Sequence, residues 1–426
     1  TAALGGLALG LTLLVRVDGA SDVLPLIPYC GLLLAGRRRQ AVPLIAGLAV
    51  GGLYGSIDGL LLSRPYLASI KSSLLPLAVV SGLVVVATAV AVVVLWRRGL
   101  PQVRGRWLPD ATAALAVAVV TGFAVRPYLQ TVRTPAGRGF IARYQRIEHL
   151  PIDPGRQYYE MSLHWVFWYL GVPAVLLATL GAALLARRCL RGSMPSWTLP
   201  LMAFAWTIVT TLYRPAILPD HPWASRRLVP AVLPGFILLA VWACGWLTGW
   251  LREHGYDRVI RAGFVSGCAA VLLVPAAMTT LGLSVTHGGP PGVRAAANGL
   301  AFRRTYSGEV AAVGRLCAAI PRNASAVIVD RETSHLTQDI RGMCGVPVAD
   351  MNPRRPALVA QVVRGIEAAG RTPVILSGSR AHLLPYGAPT REIMWLRSTE
   401  DPHSLMAPPA RPWPLRMNVW MSEPGR

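Results

Sequence analysis

Residues 74–96 read LLPLAVVSGLVVVATAVAVVVLW, and Arg97 and Arg98 follow them directly. The stretch contains no charged residue and is long enough to cross a bilayer, because the hydrocarbon core requires about 20 apolar residues per helix. Backbone polar groups cannot stay unpaired in lipid, so a segment of this kind must be helical. The stretch therefore predicts a transmembrane helix that ends at a pair of arginines.

Similar segments fill the first two thirds of the chain. The 426 residues are 53% hydrophobic and 15% charged, and the mean hydropathy is +0.45. We predict nine spans, at residues 2–18, 22–36, 41–60, 74–96, 109–127, 164–186, 197–213, 229–250 and 263–284. The predicted fold class is an α-helical polytopic protein of the cell membrane, with a small C-terminal α/β domain outside the cytoplasm.

Arginine clusters occur in every second loop between the predicted spans. They lie within residues 37–39, 97–106, 187–191 and 252–261. By the positive-inside rule these loops are cytoplasmic. The intervening loops, on the outer side, carry arginines together with aromatic residues and carboxylates. The positive-inside rule does not explain these outer arginines, so they require a separate explanation.

The cationic charge limits the partners. The formal net charge is +22 and the pI is near 11.0, a balance that can indicate nucleic-acid binding. Here the arginines lie in loops around predicted spans. We therefore expect membrane lipids or lipid phosphates as partners, and no nucleic acid.

The pattern changes after about residue 285. The transmembrane domain is assigned to 1–284, a linker rich in glycine and proline to 285–305, and an α/β domain to 306–426. The expected elements of this last domain are helices at 308–319 and 355–369 and strands at 326–330, 346–349 and 373–376. Their order predicts a small, mostly parallel sheet. No nucleotide-binding motif is present. With nine predicted spans and a cytoplasmic loop at 252–261, the domain is placed outside the cytoplasm.

Two of the six cysteines, Cys317 and Cys344, lie in the C-terminal domain. An oxidising compartment predicts a disulfide between them, and the alternative is two buried thiols. The other cysteines lie in or next to predicted spans and are interpreted as small apolar packing residues. No CxxC or His/Cys metal spacing occurs, so no zinc site is predicted.

Three regions could carry chemistry, and two of them are less specific than the third. The first is residues 16–19, where Arg16 and Asp18 lie at membrane depth; the alternative is an ion pair that orients the helix end. The second is residues 126–165, which combine arginines with tyrosines, histidines and carboxylates. Arginine suits phosphate and aromatic rings stack on sugars, but an interfacial loop with an aromatic belt would look similar.

The third region is residues 213–227, where Arg226 and Arg227 are predicted to open the eighth span. Paired arginines at a helix start would add side-chain donors to free N–H groups and a positive dipole end, which makes an anion site. Asp220 and His221 could orient these arginines or move protons. The alternative is a helix cap with interfacial anchoring.

These features resemble the GT-C superfamily of polyprenyl-phosphate-sugar-dependent membrane glycosyltransferases, of the protein mannosyltransferase and aminoarabinose transferase type, in an actinobacterial form. The resemblance is carried by GLALGL at 6–11, Arg16 with Asp18, RPY at 126–128 and DHPWASRR at 220–227. It implies transfer of a sugar from a polyprenyl-phosphate donor to a glycan or protein acceptor at the outer face of the membrane. The candidate substrate-binding residues are Arg126, Tyr128, Tyr159, Glu160, His164, Asp220, His221, Trp223, Arg226 and Arg227.

The catalytic carboxylate is not assigned. In this superfamily it usually lies in the first external loop, and the chain begins at Thr1 inside a predicted span, so we expect a fragment that lacks this loop. No cofactor is assigned, and a requirement for a divalent cation is left open. The alternatives are a transporter or flippase of lipid-linked sugars, which the lack of an inverted repeat disfavours, and a non-catalytic membrane scaffold.

Overall fold

The computed structural model describes residues 1–15, 19–98, 105, 107–135, 137–281, 283–285, 293–295, 304–351, 355–387, 389–409 and 412–424. The chain forms two compact units. Unit 1 comprises Thr1–Ser284 and Ser404–Pro408, and unit 2 comprises Val285–His403 and Pro409–Arg426.

Unit 1 is helical. Its helices are α1 (Ala2–Gly10), α2 (Thr12–Val15), α3 (Gly19–Val23), α4 (Leu26–Ala35), α5 (Ala41–Leu62), α6 (Arg64–Ser69), α7 (Lys71–Arg98), α8 (Trp107–Leu129), α9 (Arg138–Ile147), α10 (Ser162–Leu170), α11 (Val172–Leu190), α12 (Thr198–Tyr213), α13 (Val232–Glu253) and α14 (Arg258–Leu281). Among the described residues, six stretches are long and apolar enough to cross a membrane: Ala41–Leu62, Leu74–Arg98, Trp107–Leu129, Val172–Leu190, Val232–Glu253 and Arg258–Met278. They indicate a membrane protein.

The predicted count of nine spans is not confirmed. The predicted spans 2–18 and 22–36 coincide with the shorter stretches Ala2–Val15 and Ser21–Ala35, and the predicted span 197–213 coincides with the 16 residues of α12. The predicted span 164–186 is divided into α10 and α11. Gly171 causes this break, because its φ of 82° and ψ of 153° cannot continue an α-helix.

Helices α1 and α5 pack closely through glycines spaced four residues apart, Gly6 and Gly10 on α1 and Gly47 and Gly51 on α5. A Cβ added at Gly10 or at Gly51 would lie 2.6 Å from a backbone carbonyl oxygen of the other helix. Small residues at this spacing allow helix backbones to approach each other in membranes. The α1–α5 interface therefore depends on the absence of side chains at these positions.

The core of unit 1 lies among α10, α11 and α13. Trp165 of α10, Ala178 of α11 and Ala240 of α13 are fully or almost fully buried in one cluster. Gly181 of α11 faces the backbone of Leu239, so α11 and α13 also approach closely. This packed group is the hydrophobic core of unit 1.

Unit 2 contains a five-stranded mixed sheet. The strands are β3 (Ala324–Ile328), β4 (Val348–Asp350), β5 (Thr372–Ser377), β6 (Arg391–Glu400) and β7 (Trp413–Ser422), preceded along the chain by the short strands β1 (Leu283–Val285) and β2 (Val293–Ala295). The spatial order is β4-β3-β5-β7-β6. Strand β3 pairs parallel with β4 and β5, whereas β7 pairs antiparallel with β5 and β6. The parallel half follows the prediction, and the antiparallel hairpin was not predicted.

Helices α15 (Glu309–Ala319) and α17 (Pro356–Ala368) cover the two sides of this sheet, with the three-residue α16 (Thr337–Asp339) between them in sequence. Ile328 belongs to the core under α15, whereas its neighbour Val327 belongs to the core under α17. This alternation is expected of a central strand. Residues 286–292 and 296–303 of the predicted linker lie outside the described residues.

The predicted disulfide is confirmed. Cys317 at the end of α15 is bonded to Cys344, with their Cα atoms 4.8 Å apart. The bond closes a loop that contains β3, so it links the helix to the turn before β4. Two buried free thiols, the alternative interpretation, are thereby excluded.

Asp330 joins the carboxyl ends of β3 and β5. Its carboxylate accepts hydrogen bonds from the backbone N–H of Thr333 at 2.9 Å and of Gly378 at 2.6 Å, and from the hydroxyls of Thr333 and Ser377. Burial alone would raise the pKa of Asp330, but these donors outweigh it and the pKa is lowered. A carboxylate that accepts this many bonds holds two loops together, which is a structural role.

Candidate functional site

The strongest candidate site of unit 1 is built around residues 214–231, which connect α12 to α13 and which we term the arginine loop. Three of its arginines, Arg214, Arg226 and Arg227, line a cavity of about 260 Å³. The other lining residues are Ser21, Asp22, Thr207, Thr210, Thr211, Pro215, Ala216, Pro230 and Ala231. The cavity therefore joins the arginine loop to α3 and to the end of α12.

The hydroxyls come from one face of α12. Thr207, Thr210 or Thr211, and Arg214 recur at intervals of three and four residues, which places them one above the other on a helix. The hydroxyl of Thr207 donates to Asp22 Oδ1 at 3.3 Å, and that of Thr210 donates to its own helix at the carbonyl of Trp206. An otherwise apolar helix thus ends in a polar strip directed to the cavity.

The charge of the cavity is positive. Three guanidiniums and one carboxylate, that of Asp22, line it. Pro230 and Ala231 bring the first turn of α13 to the same place, and its cap residue Ala231 supplies no side-chain hydrogen bond. The positive end of the helix dipole adds to the arginines, so the cavity suits an anion such as a phosphate.

The predicted position of Arg226 and Arg227 at a helix start is wrong. Both belong to the 3-10 turn Trp223–Arg227, and α13 begins at Val232. The reason is Pro230, because the residue before a proline, here Val229, is disfavoured in the α conformation. The arginines consequently face the helix start across the cavity instead of belonging to its first turn.

His221 is held inside the protein and does not line the cavity. Its ring is fully buried, its Nδ1 lies 2.8 Å from the hydroxyl of Tyr169, and the rings of Trp165 and Trp168 pack edge-on against it. Its backbone exchanges two hydrogen bonds with Ser404, at 2.9 and 3.1 Å. Burial lowers the pKa of His221 to about 4, so the ring is neutral near pH 7.

Asp220 is buried beside His221. It accepts a hydrogen bond from the hydroxyl of Tyr144 at 3.3 Å, and its backbone carbonyl accepts from the N–H of Ala224 at 2.7 Å. Tyr144 belongs to α9, so this contact attaches the arginine loop to that helix. Asp220 and His221 therefore act as supports for the arginine loop.

Arg126 lies near the end of α8 and donates to three backbone carbonyls. They are those of Leu212 at 3.1 Å, Tyr213 at 3.0 Å and Tyr159 at 3.3 Å. The last carbonyls of a helix have no partner within it, so Arg126 caps α12. Arg214 is the next residue of the chain, and Arg126 thereby positions it without lining the cavity.

The remaining predicted residues do not line the cavity. Glu160 is buried, pairs with Arg156 at 2.9 Å and accepts from the N–H of Val132 at 3.1 Å. Tyr159 is buried, and that burial raises its pKa. His164 packs against Phe167. Two more residues are exposed: Tyr128 at the end of α8, and Trp223, whose ring lies 3.9 Å from the Arg226 guanidinium.

Of the predicted site residues, the structure brings Arg226 and Arg227 together at the cavity. Asp22 and the threonines of α12 were not predicted from the sequence, and Arg214 lay in the third region without being a candidate residue. The spacing of the threonines was a usable signal, because hydroxyls at intervals of three and four residues recur in an apolar segment. Asp22 gave no signal, since only the fold brings α3 to the arginine loop. Arg16, Val17 and Asp18 of the first region lie outside the described residues.

Within the part of the chain that the structure describes, no group of three or more His, Cys, Asp or Glu side chains could hold a metal ion. Comparison with known protein families, with curated proteins and with solved structures finds no match.

Proposed function

We propose that the chain is an integral membrane glycosyltransferase that moves a sugar from a polyprenyl-phosphate donor to a glycan or protein acceptor. The observation that carries the proposal is the cavity lined by Arg214, Arg226 and Arg227 at the start of α13, within a unit of long apolar helices. Polyprenyl phosphate needs both features, since its chain is apolar and its head group is an anion.

The charged groups that line the cavity have roles in such a reaction. The acceptor oxygen forms the new bond to the anomeric carbon, and the bond from that carbon to the phosphate oxygen breaks. Polyprenyl phosphate leaves with the electron pair, and fixed guanidiniums stabilise its developing charge. Asp22, the carboxylate that lines the cavity, is the candidate base that takes the proton of the acceptor hydroxyl.

Donor binding is tested with undecaprenyl phosphate as the probe and the full chain in detergent micelles. We expect Arg227→Ala to weaken binding about 10- to 100-fold, because a hydrogen bond to a charged group contributes roughly 1.5–3 kcal/mol. Arg227→Lys should restore part of the loss, since the charge returns without the planar fork. The control is Arg252→Ala, an exposed arginine at the far end of α13, about 30 Å away at 1.5 Å per residue.

Transfer is tested in membranes supplied with polyprenyl phosphates that carry a labelled sugar. We expect Asp22→Asn to abolish release of the sugar while probe binding persists. Unchanged binding in Arg226→Ala and Arg227→Ala would reject the cavity as the donor site. Binding that needs the arginines, with sugar release absent even in the wild type and labelled lipid crossing vesicle membranes, would replace the transferase with a flippase.

A further inference from the structure

The outward side of the β6–β7 hairpin in unit 2 carries an unusual set of side chains. The antiparallel register places Trp395 opposite Asn418, Arg397 opposite Arg416, and Thr399 opposite Pro414. Side chains alternate between the two sides of a strand, so these three pairs share one side. The intervening residues Met394, Leu396 and Val419 are buried in the core. We term the outward set, with Arg315, the arginine face.

Arg397 and Arg416 oppose each other directly across the two strands. Like charges in this position destabilise a sheet, because cross-strand Cβ atoms lie only about 4.5–5.5 Å apart. Arg397 is fixed by hydrogen bonds to Asn418 Oδ1 at 2.7 Å and to the Leu396 carbonyl at 2.9 Å. Arg416 has no hydrogen bond or ion pair among the described residues. The hairpin thus presents two adjacent guanidiniums, one of them preorganised.

An exposed aromatic ring and hydroxyls lie beside these arginines. Trp395 is 58% exposed, and Arg315 of α15 lies over its ring at 5.3 Å and donates to its carbonyl at 2.9 Å. A groove of about 760 Å³ runs past Arg397 and Arg416, and Ser307 and Thr399 are the residues that bring hydroxyls to it, whereas the hydroxyl of Ser398 is buried. Glu392, which accepts from Asn418 at 2.6 Å, is one acid of this region, and Glu400 and Asp401 follow Thr399 at one end of the groove. The cationic charge is concentrated where Arg315, Arg397 and Arg416 lie.

We propose that the arginine face binds an anionic polysaccharide. Acidic groups of the polymer lie between Arg397 and Arg416, where they relieve the like-charge repulsion. A sugar ring stacks on Trp395, and sugar hydroxyls bond to the groove. The disulfide of the same unit favours an oxidising compartment, where glycans are present and nucleic acids are not. Binding here is separate from sugar transfer in unit 1 and does not depend on it.

The test uses the full chain in detergent micelles with polygalacturonate as the probe. The Arg397→Gln/Arg416→Gln variant should weaken binding about 30-fold and flatten its dependence on salt. Trp395→Ala should weaken binding about 10-fold. The matched control is Arg322→Gln/Arg364→Gln, which removes the same charge from exposed positions elsewhere in unit 2 and should leave binding almost unchanged.

The melting temperature distinguishes lost binding from misfolding, because removing the opposed like charges in Arg397→Gln/Arg416→Gln should leave it equal or higher. Equal loss in the control variant would mean that net charge alone binds the polymer, and the proposal fails. Equal binding of neutral dextran also rejects it. Tighter binding of single-stranded DNA, or of anionic phosphatidylglycerol vesicles, with the same dependence on Trp395 and the arginines would reassign the surface to nucleic acid or to lipid.

Discussion

Arg126 shows how a residue can matter to the cavity without lining it. The guanidinium satisfies carbonyls at the end of α12, and Ser162 donates to one of them, that of Leu212, at 2.5 Å. Arg126 was interpreted from sequence as a substrate ligand, because the guanidinium fork suits phosphate. The structure shows a different use for the same chemistry, since a helix end also offers oxygen atoms that need donors.

We expect Arg126→Gln to lower the stability of unit 1 by about 1–3 kcal/mol, because the carbonyl of Tyr213 loses its donor and that of Leu212 keeps only the hydroxyl of Ser162. The melting temperature in detergent measures the effect. Arg133→Gln is the matched control, since its ion pair with Asp153 is exposed and such pairs contribute about 0–1 kcal/mol. A melting temperature that falls no further in Arg126→Gln than in this control would contradict the capping role.

His221 makes unit 1 sensitive to acid. Its pKa is lowered to about 4 by burial, from an ordinary value near 6.5. The unfolded chain therefore takes up a proton first as pH falls, so the contribution is complete above pH 6.5 and is lost between pH 6.5 and 4. The thermal stability of unit 1 should decline across this window, by at most about 1.4 kcal/mol per pH unit for one proton.

The pH prediction has a direct control. In His221→Asn the decline should be smaller, because asparagine does not titrate, although the variant starts from a lower stability. His254→Gln changes an exposed histidine at the end of α13 and should keep the wild-type pH profile. The same slope in His221→Asn and in the wild type would assign the acid sensitivity to other groups.

At the scale of elements, the length of an apolar stretch predicted a helix, whereas the points at which helices break or begin were not predicted. Residues 74–96, which were predicted as a span, lie within α7. The interruption at Gly171 depends on local backbone geometry, and the late start of α13 depends on Val229–Pro230. A hydropathy pattern is averaged over many residues and does not show either feature. The arginine loop was recognised from its residues, but its supports come from distant segments, among them Ser404.

The close α1–α5 contact predicts that alanine has different effects on stability at the adjacent positions Gly5 and Gly6. A Cβ at Gly6 would collide with the backbone of Leu44, whereas nothing lies within 4 Å of a Cβ at Gly5. Gly6→Ala should therefore destabilise unit 1 by about 1–3 kcal/mol through overpacking. Gly5→Ala should be neutral or stabilising by up to about 1 kcal/mol, since alanine is the better helix former. Melting temperatures that rank the two variants in the opposite order would contradict the close α1–α5 packing.

At the scale of the whole molecule, the sequence predicted the parallel strands of unit 2 but not its antiparallel hairpin. The strands flanked by helices were identified because buried parallel strands are short runs of apolar residues between helical segments. Strands β6 and β7 were not, although both alternate between buried and exposed positions. Their exposed positions carry Arg397, Arg416 and Trp395, residues that were not recognised as strand formers. The part missed from sequence is the part that carries the arginine face.

The side of the membrane on which unit 2 lies is the last prediction. The segment between α13 and α14 is flanked by Arg252, Arg258 and Arg261, which assigns it to the cytoplasm by the positive-inside rule. If α14 then crosses the membrane, unit 2 is external, where the Cys317–Cys344 bond would persist. Alkaline phosphatase fused after Arg426 should be active, and a cytoplasmic fluorescent reporter at the same place should be dark.

The disulfide provides an independent readout of the same assignment. In cells whose thiols are blocked before lysis, the wild type should migrate faster without reductant than with it, and Cys344→Ser should show no difference. The variant should also lose about 3–4 kcal/mol of stability in unit 2, the chain entropy of a loop of 27 residues. A reduced wild-type protein together with an inactive phosphatase fusion would place unit 2 in the cytoplasm. The oxidising compartment would then no longer favour a polysaccharide, and nucleic acid would be the competing polyanion for the arginine face.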